Sequence, residues 1–400
     1  MNIYLVGGAV RDQLLHLPVK DRDWLVVGST PDELLSLGYL QVGKDFPVFI
    51  HPETHEEYAL ARTEKKSGSG YTGFICDFSP DITLEDDLIR RDLTINAIAQ
   101  DKNGKLYDPY HGIEDLNNRL LRHISPSFEE DPLRVLRVAR FAAKFYHLGF
   151  AIAPETLELM KKLSTQGELQ HLTAERVWLE TEKALMTENP EIYFQTLLKI
   201  DALPALMPEL ATISVENFQY AMTALKNAVS LIKNMDCNKS AVCFATIFLG
   251  IIYVNPSHMT QKQQEQDNHQ KNITPCLFEK LKVPAYHKEL AILAGKYHIY
   301  IHNAFNLKSH TIIDLFNKWD VWRKPQRFLE LLIVCAAHYS AQSKNQPTYP
   351  QKSYLLGLYQ KAMTIDVKNI VSAGFKKTEI RNELTRQRIS AVEKIKNCYP

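Results

Sequence analysis

The sequence predicts an α+β protein, with a mixed-sheet head followed by an all-α neck, body and tail. Three observations carry this. Over the first 125 residues, short β-rich apolar runs alternate with helical segments and end at Gly or Pro. From Asp131 onward, apolar residues recur at helical spacing and strand signals almost vanish. The length of 400 residues exceeds what one core holds, since single cores rarely grow past about 250–300 residues. The boundaries fall at 1–125 for the head, 126–210 for the neck, 211–345 for the body and 346–400 for the tail.

In the head, Ile3–Val6 reads as a strand ending at Gly7-Gly8, and Ala9–Leu15 as a helix. Trp24–Val27 is a second strand. Thr30-Pro31-Asp32-Glu33 supplies an N-cap Thr, a Pro at the first helical position and a Glu at the third, and Gly38 suits the end of that helix. Phe46–Ile50 and Glu57–Ala61 are β-rich and close enough to pair. Residues 64–74 read as a flexible loop by their Gly, Ser and Lys content. Helical periodicity then covers 131–146, 154–163, 173–186, 190–201 and 215–234. It resumes over 276–282, 286–298, 309–317, 325–342, 352–363 and 377–397. The polar, Gln-rich stretch Gln261–Asn272 reads as an exposed loop.

Charge is balanced overall, with 47 Lys and Arg against 46 Asp and Glu. The balance hides a gradient: residues 1–150 hold 17 basic and 23 acidic side chains, and residues 351–400 hold 10 and 4. Such asymmetry suits cation binding at one end and phosphate binding at the other. The start of the sequence shows no basic leader and no long apolar stretch. The longest apolar run, Ala241–Val254, has 14 residues, too few to span a bilayer, and reads as a buried helix. The six cysteines form no C-x-x-C pair, which suits a reducing, cytoplasmic compartment and argues against a zinc ribbon or disulfide framework. No membrane association and no obligate protein partner are expected.

Asp21-Arg22-Asp23 enters the second strand, where residues two apart share a face. Two neighbouring carboxylates repel unless a cation lies between them. Magnesium suits such a pair, because it takes one or two carboxylates and fills its shell with water and phosphate oxygens. Upstream stands Gly7-Gly8-Ala9-Val10-Arg11-Asp12, a Gly pair at a strand–helix junction where backbone N–H groups and Arg11 can approach a phosphate. Neither a Walker loop nor a dinucleotide fingerprint occurs. Together the two halves point to nucleotidyl transfer from a metal-bound triphosphate.

The sequence closely resembles bacterial class II tRNA CCA-adding nucleotidyltransferases, whose head is polymerase β-like. Four family motifs match in order. The first is Gly7 to Asp12 with Asp21-Arg22-Asp23, and the second is Arg90-Arg91-Asp92-Leu93-Thr94-Ile95-Asn96-Ala97. The third is Asp108-Pro109-Tyr110-His111-Gly112 with Asp115 and Arg119. The fourth is Glu130-Asp131-Pro132-Leu133-Arg134 with Arg137 and Arg140. Similarity weakens after residue 200 and returns around Trp322-Arg323-Lys324-Pro325-Gln326-Arg327 and in the tail.

The resemblance implies template-independent addition of C, C and A to tRNA 3′ ends, from CTP and ATP, with Mg²⁺. Asp21 and Asp23 become the catalytic metal ligands, with Glu57 a candidate third carboxylate. Gly8, Arg11, Arg91, Asp92, Arg137 and Arg140 become nucleotide contacts, with Arg91 and Asp92 opening a helix. Asp131 and Arg134 become the base-reading pair, with Glu130 orienting Arg134. Asp131-Pro132 also reads as an ordinary N-cap. An Asp acceptor beside an Arg donor fits the amino group and ring nitrogen of cytosine and adenine, and mismatches uracil and guanine, which present the reverse order. Arg137, Arg140 and Lys144 fall within a sector of roughly 60° on one helix, a basic stripe suited to a triphosphate.

One region departs from the relatives. Where many carry the His-Asp dipeptide of a metal-dependent phosphohydrolase, this chain reads Ala245-Thr246-Ile247-Phe248-Leu249-Gly250, which cannot ligate a metal. The phosphodiesterase, 2′-nucleotidase and phosphatase activities of those relatives, and their nickel dependence, are expected to be absent. Lys376, Lys377, Arg381, Arg386, Arg388, Lys394 and Lys396 form a helix-prone basic segment suited to the tRNA backbone or to a solvated face. Two rivals share much of this pattern: a poly(A) polymerase that uses ATP alone, and a non-catalytic tRNA-binding protein.

Overall fold

The computed structural model describes residues 1–42, 48–66, 74–252, 277–342 and 348–396, and every statement of absence below refers to these. The chain forms two compact units. The first holds residues 1–184 and 192–208, and the second holds 185–191 and 209–400.

The first unit opens with β1 (Asn2–Val6), α1 (Gly8–Leu14), β2 (Asp23–Val27), α2 (Pro31–Ser36), β3 (Leu40–Val42), β4 (Val48–Ile50) and β5 (Glu57–Leu60). Thr30 and Glu33 close the reciprocal cap at the start of α2. β6 (Thr63–Lys66) pairs antiparallel with β7 (Phe74–Asp77), so the start of the expected 64–74 loop is strand, while 67–73 lie outside the described residues. After α3 (Leu84–Leu88) come β8 (Ala99–Asp101), β9 (Leu106–Tyr107), α4 (Gly112–Asn117) and β10 (Leu120–Leu121). Sequence reading had not found these three strands. Runs of two or three residues carry no readable period, and pairing creates them.

The main sheet runs β3-β4-β5-β2-β1-β8-β9. Only β2 and β5 pair in parallel, which makes the sheet mixed, as expected. Alternation along β2 sends Leu25 into one apolar layer, with Val6, Leu84 and Leu88. It sends Val26 into the opposite layer, with Leu34, Phe49 and Tyr58. The helical part of this unit comprises α5 (Leu133–Phe145), a two-residue β11 (Ala151–Ile152), α6 (Pro154–Thr165), α7 (Ala174–Leu185), α8 (Pro190–Lys199) and α9 (Leu203–Leu206).

α10 (Pro208–Ala211) leads to α11 (Val215–Ile232) and α12 (Lys239–Ile252), the buried helix expected from the apolar run. Next come α13 (Ala285–His302), α14 (Ser309–Lys318), α15 (Pro325–Ala341), α16 (Pro350–Met363), α17 (Val367–Ser372) and α18 (Thr378–Lys396). The Gln261–Asn272 stretch lies outside the described residues. α11, α12, α13 and α15 pack together. No helix is long and apolar enough to cross a membrane.

Ala245 to Leu249 are buried in the packing of α12. Phe244, Phe248 and Phe278 meet ring to ring, with centroids 4.5–5.5 Å apart. A Cβ on Gly250 would approach the Ala221 backbone to 2.9 Å, so α11 and α12 touch there through glycine alone. In the tail, Arg386 pairs with Glu383, Arg388 lies 3.6 Å from the Trp322 ring centroid, and Lys396 donates to the Leu307 carbonyl. Lys376, Lys377 and Arg381 remain exposed.

Candidate active site

A cavity of about 700 Å³ opens in the first unit. Gly7, Gly8, Arg11, Asp23, Arg91, Asp92, Asp131, Arg134, Arg137 and Arg140 all line it. Residues dispersed over 130 positions thus converge on one space. Arg62, Arg90, Asn96, Phe141, Lys144 and Arg176 complete the wall with Val48 and Leu133.

The β1–α1 turn shapes one side. Gly7 has φ of 69°, and a Cβ there would lie 2.9 Å from Arg91 Nη1. The backbone angle therefore requires glycine, and a Cβ would also press on the end of the Arg91 side chain. Arg91 in turn donates to the buried Asp87 at 3.1 Å. Arg91 and Asp92 do not open a helix, contrary to expectation; they lie in the turn after α3, before a short 3-10 turn at Thr94–Asn96. The third motif buttresses that turn. Asp108 accepts from the N–H groups of Gly112 and Ile113, and Asp115 accepts from Thr94 Oγ1 at 2.7 Å. A side chain at position 112 would collide with the Thr94 carbonyl.

Asp92 is the hub. Its Oδ1 accepts from Asn96 Nδ2 at 2.8 Å and its Oδ2 from Arg137 Nε at 2.7 Å. Burial would raise the Asp92 carboxyl, but Arg137, Asn96 and Arg134 overcome that and hold it down to about 2. The same pairing raises Arg137. Arg11 Nη1 reaches Asn96 Oδ1 at 2.5 Å, and Arg11 Nε reaches Asp12 at 2.8 Å. Arg140 Nε donates to Glu180 at 2.5 Å from below. Anchoring through Nε leaves the outer nitrogens of Arg140 for a ligand. Burial, with Arg11 and Arg140 close by, pushes the Lys144 ammonium below its usual range, and Asp12 partly offsets this.

Asp131 sits just ahead of α5. Its Oδ1 accepts from Leu133 N–H at 3.1 Å, so it helps start the helix although Pro132 holds the cap position. Arg176 on α7 reaches both of its carboxylate oxygens, at 3.1 and 2.8 Å. Arg134 donates to the carbonyls of Ser127 and Arg90, at 2.5 and 2.6 Å, which fixes the plane of its guanidinium. Sequence reading missed Arg176 and Glu180. Their four-residue spacing on an amphipathic helix looks like ordinary surface pairing, and only the packing of α7 beside α5 brings them here.

β2 starts at Asp23, so Asp21 lies outside the strand and outside the cavity wall, and strand alternation does not align the pair as expected. Asp21 still acts on its neighbour. Crowding by the protein raises the Asp23 carboxyl, Arg91 opposes this, and the Asp21 charge adds to it. The β2–β5 register sets Glu57 beside Asp23. No group of three His, Cys, Asp or Glu side chains is arranged to hold a metal by itself. A divalent ion held by one or two carboxylates completes its shell with water and substrate oxygens.

A mixed sheet with acidic residues at one strand start, facing a pocket of guanidinium groups, defines a polymerase-type nucleotidyltransferase, a class that uses divalent metal ions. The family model described as "Poly A polymerase head domain" matches residues 3–122, and the one described as "Probable RNA and SrmB- binding site of polymerase A" matches 149–213. The "Multifunctional CCA protein" of Mannheimia succiniciproducens is 58% identical, over 98% of this chain and 97% of its own. That of Haemophilus influenzae is 56% identical, over 100% of both chains. This chain belongs to the multifunctional CCA protein family. The solved structure "Thermotoga maritima CCA-adding enzyme complexed with tRNA_CCA" shares the fold, with a TM-score of 0.66 at 18% identity over 98% of this chain and 90% of that one.

Proposed function

We propose that this chain completes and repairs the 3′-CCA end of tRNA in the cytoplasm, using CTP and ATP and releasing pyrophosphate. The observation that carries this is the convergence of the first, second and fourth motifs on one cavity, with Asp23 and the Asp131–Arg134 pair both in its wall. In this reading residues 1–125 are the catalytic head and 126–210 the nucleotide-selecting neck. Residues 211–345 are a supporting body and 346–400 a tail that contacts tRNA.

Asp21 and Asp23 would hold Mg²⁺, which supplies activation of the tRNA 3′-hydroxyl and neutralises charge on the triphosphate. Arg11, Arg137 and Arg140 bind and orient the phosphates, while Arg91 and Asp92 set the ribose end. The Asp131 carboxylate accepts from the exocyclic amine of cytosine or adenine, and Arg134 donates to the adjacent ring nitrogen. Uracil and guanine leave both groups facing their own kind. Arg176 keeps Asp131 in place for this comparison.

The body carries no phosphohydrolase chemistry in this reading, because apolar packing occupies the dipeptide position. Metal-dependent hydrolysis of a 2′,3′-cyclic phosphate would overturn that part. The central test supplies tRNA lacking CCA with each labelled nucleotide separately and then together. Incorporation of CMP followed by a single AMP is expected. Long ATP-only growth would instead identify a poly(A) polymerase.

A further inference from the structure

The cavity gathers positive charge that ought to repel itself. Asp12, Asp92 and Glu180 offset part of it, through the bonds to Arg11, Arg137 and Arg140. One neighbour of these cations carries no charge. The Arg140 guanidinium carbon lies 4.2 Å from the Phe141 ring centroid, Arg11 lies 5.2 Å away, and Arg137 lies 5.8 Å away. Arg11 also lies 4.9 Å from the Phe145 ring. The two rings are parallel within 3°, with centroids 5.9 Å apart. Residues 137, 141 and 145 follow one another at four-residue spacing, so one face of α5 stacks cation, ring and ring in order.

An aromatic face is electron-rich and attracts a cation best where water is excluded. Phe141 is 5% exposed and Arg11 4%. Packing alone would be served by Leu or Val, as at Val135, Leu136 and Val138 of this helix. We propose that Phe141 is a positioning residue for the triphosphate: its ring holds Arg11, Arg137 and Arg140 converged in the cavity before the nucleotide arrives. The substrate then meets donors already in place, and little binding energy goes into gathering mutually repelling groups. This rests on the phosphate-binding reading of the cavity given above.

The test is calorimetric binding of magnesium pyrophosphate, the shared product of every addition, to the full chain. Wild type is compared with Phe141→Leu and with chains carrying mono-, di- and trifluorinated phenylalanine at position 141. Fluorination keeps the ring's shape and drains its faces of charge, so the series stays folded even if the leucine variant does not. Affinity is expected to fall stepwise, reaching about tenfold weaker for the trifluorinated ring, with one shared unfolding midpoint. Equal affinity across the series would overturn the proposal. Arg140→Gln serves as the reference: if it binds pyrophosphate as wild type does, the phosphate reading itself fails, whereas weakened binding there with a flat fluorine series removes only the role of Phe141.

Discussion

Two buried helices in this chain carry a phenylalanine pair four residues apart, and they do opposite things. On α5, Phe141 and Phe145 stack beneath Arg11, Arg140 and Lys144, and the wall opens into a cavity. On α12, Phe244 and Phe248 close against Phe278, with the ring of His287 beside them. The aromatic pair is therefore not the signal. The signal is what lies three and four residues away: Arg137 and Lys144 around Phe141 on α5, and Ser240, Ala241, Ala245 and Ile247 around the pair on α12. The first unit spends its buried volume on charge held in place, and the second on packing.

Five substitutions, in four experiments, would break or sharpen this contrast. Asp23→Asn should lower CMP incorporation on the order of 10³-fold while pyrophosphate binding persists, measured by single-turnover addition. Phe248→Ala should cost about 3–5 kcal/mol of stability in denaturant unfolding without changing nucleotide affinity. If affinity fell as well, the division of labour between the two units would be wrong.

The third concerns pH. Burial, helped by the nearby His298, lowers His302 to about 4. The unfolded chain, near 6.5, takes up the proton first. Stability from the neutral imidazole is complete above about pH 6.5 and is lost as pH falls toward 4. Wild type should lose roughly 2 kcal/mol over that window relative to His302→Phe, read from urea midpoints at several pH values, after allowance for partial solvent access. Parallel pH curves would refute it. Last, Arg176→Met should narrow the preference for CTP over UTP by about tenfold, while Glu180→Gln raises the KM of CTP and ATP equally. The reverse pattern would exchange the roles assigned to the two ends of α7.

Much of this was legible in the sequence. The Thr30 cap, the α5 stripe and the buried α12 follow from spacing and residue type. What escaped has a common cause. Arg176 and Glu180 acquire meaning only through a helix that returns after thirty residues, and β8 to β10 exist only because partners await them. Strand alternation does not reach Asp21 for a local reason, since the strand begins two residues too late to include it.

The contact between Gly7 and Arg91 has a consequence for inheritance. Because a Cβ at position 7 would press on the Arg91 guanidinium, the two positions are coupled. Any side chain at position 7 must displace the end of Arg91 as well as strain its own backbone. Once the arginine is gone, glycine at 7 answers only to its own backbone angle. The history of one residue is thus written partly in a codon more than eighty positions away.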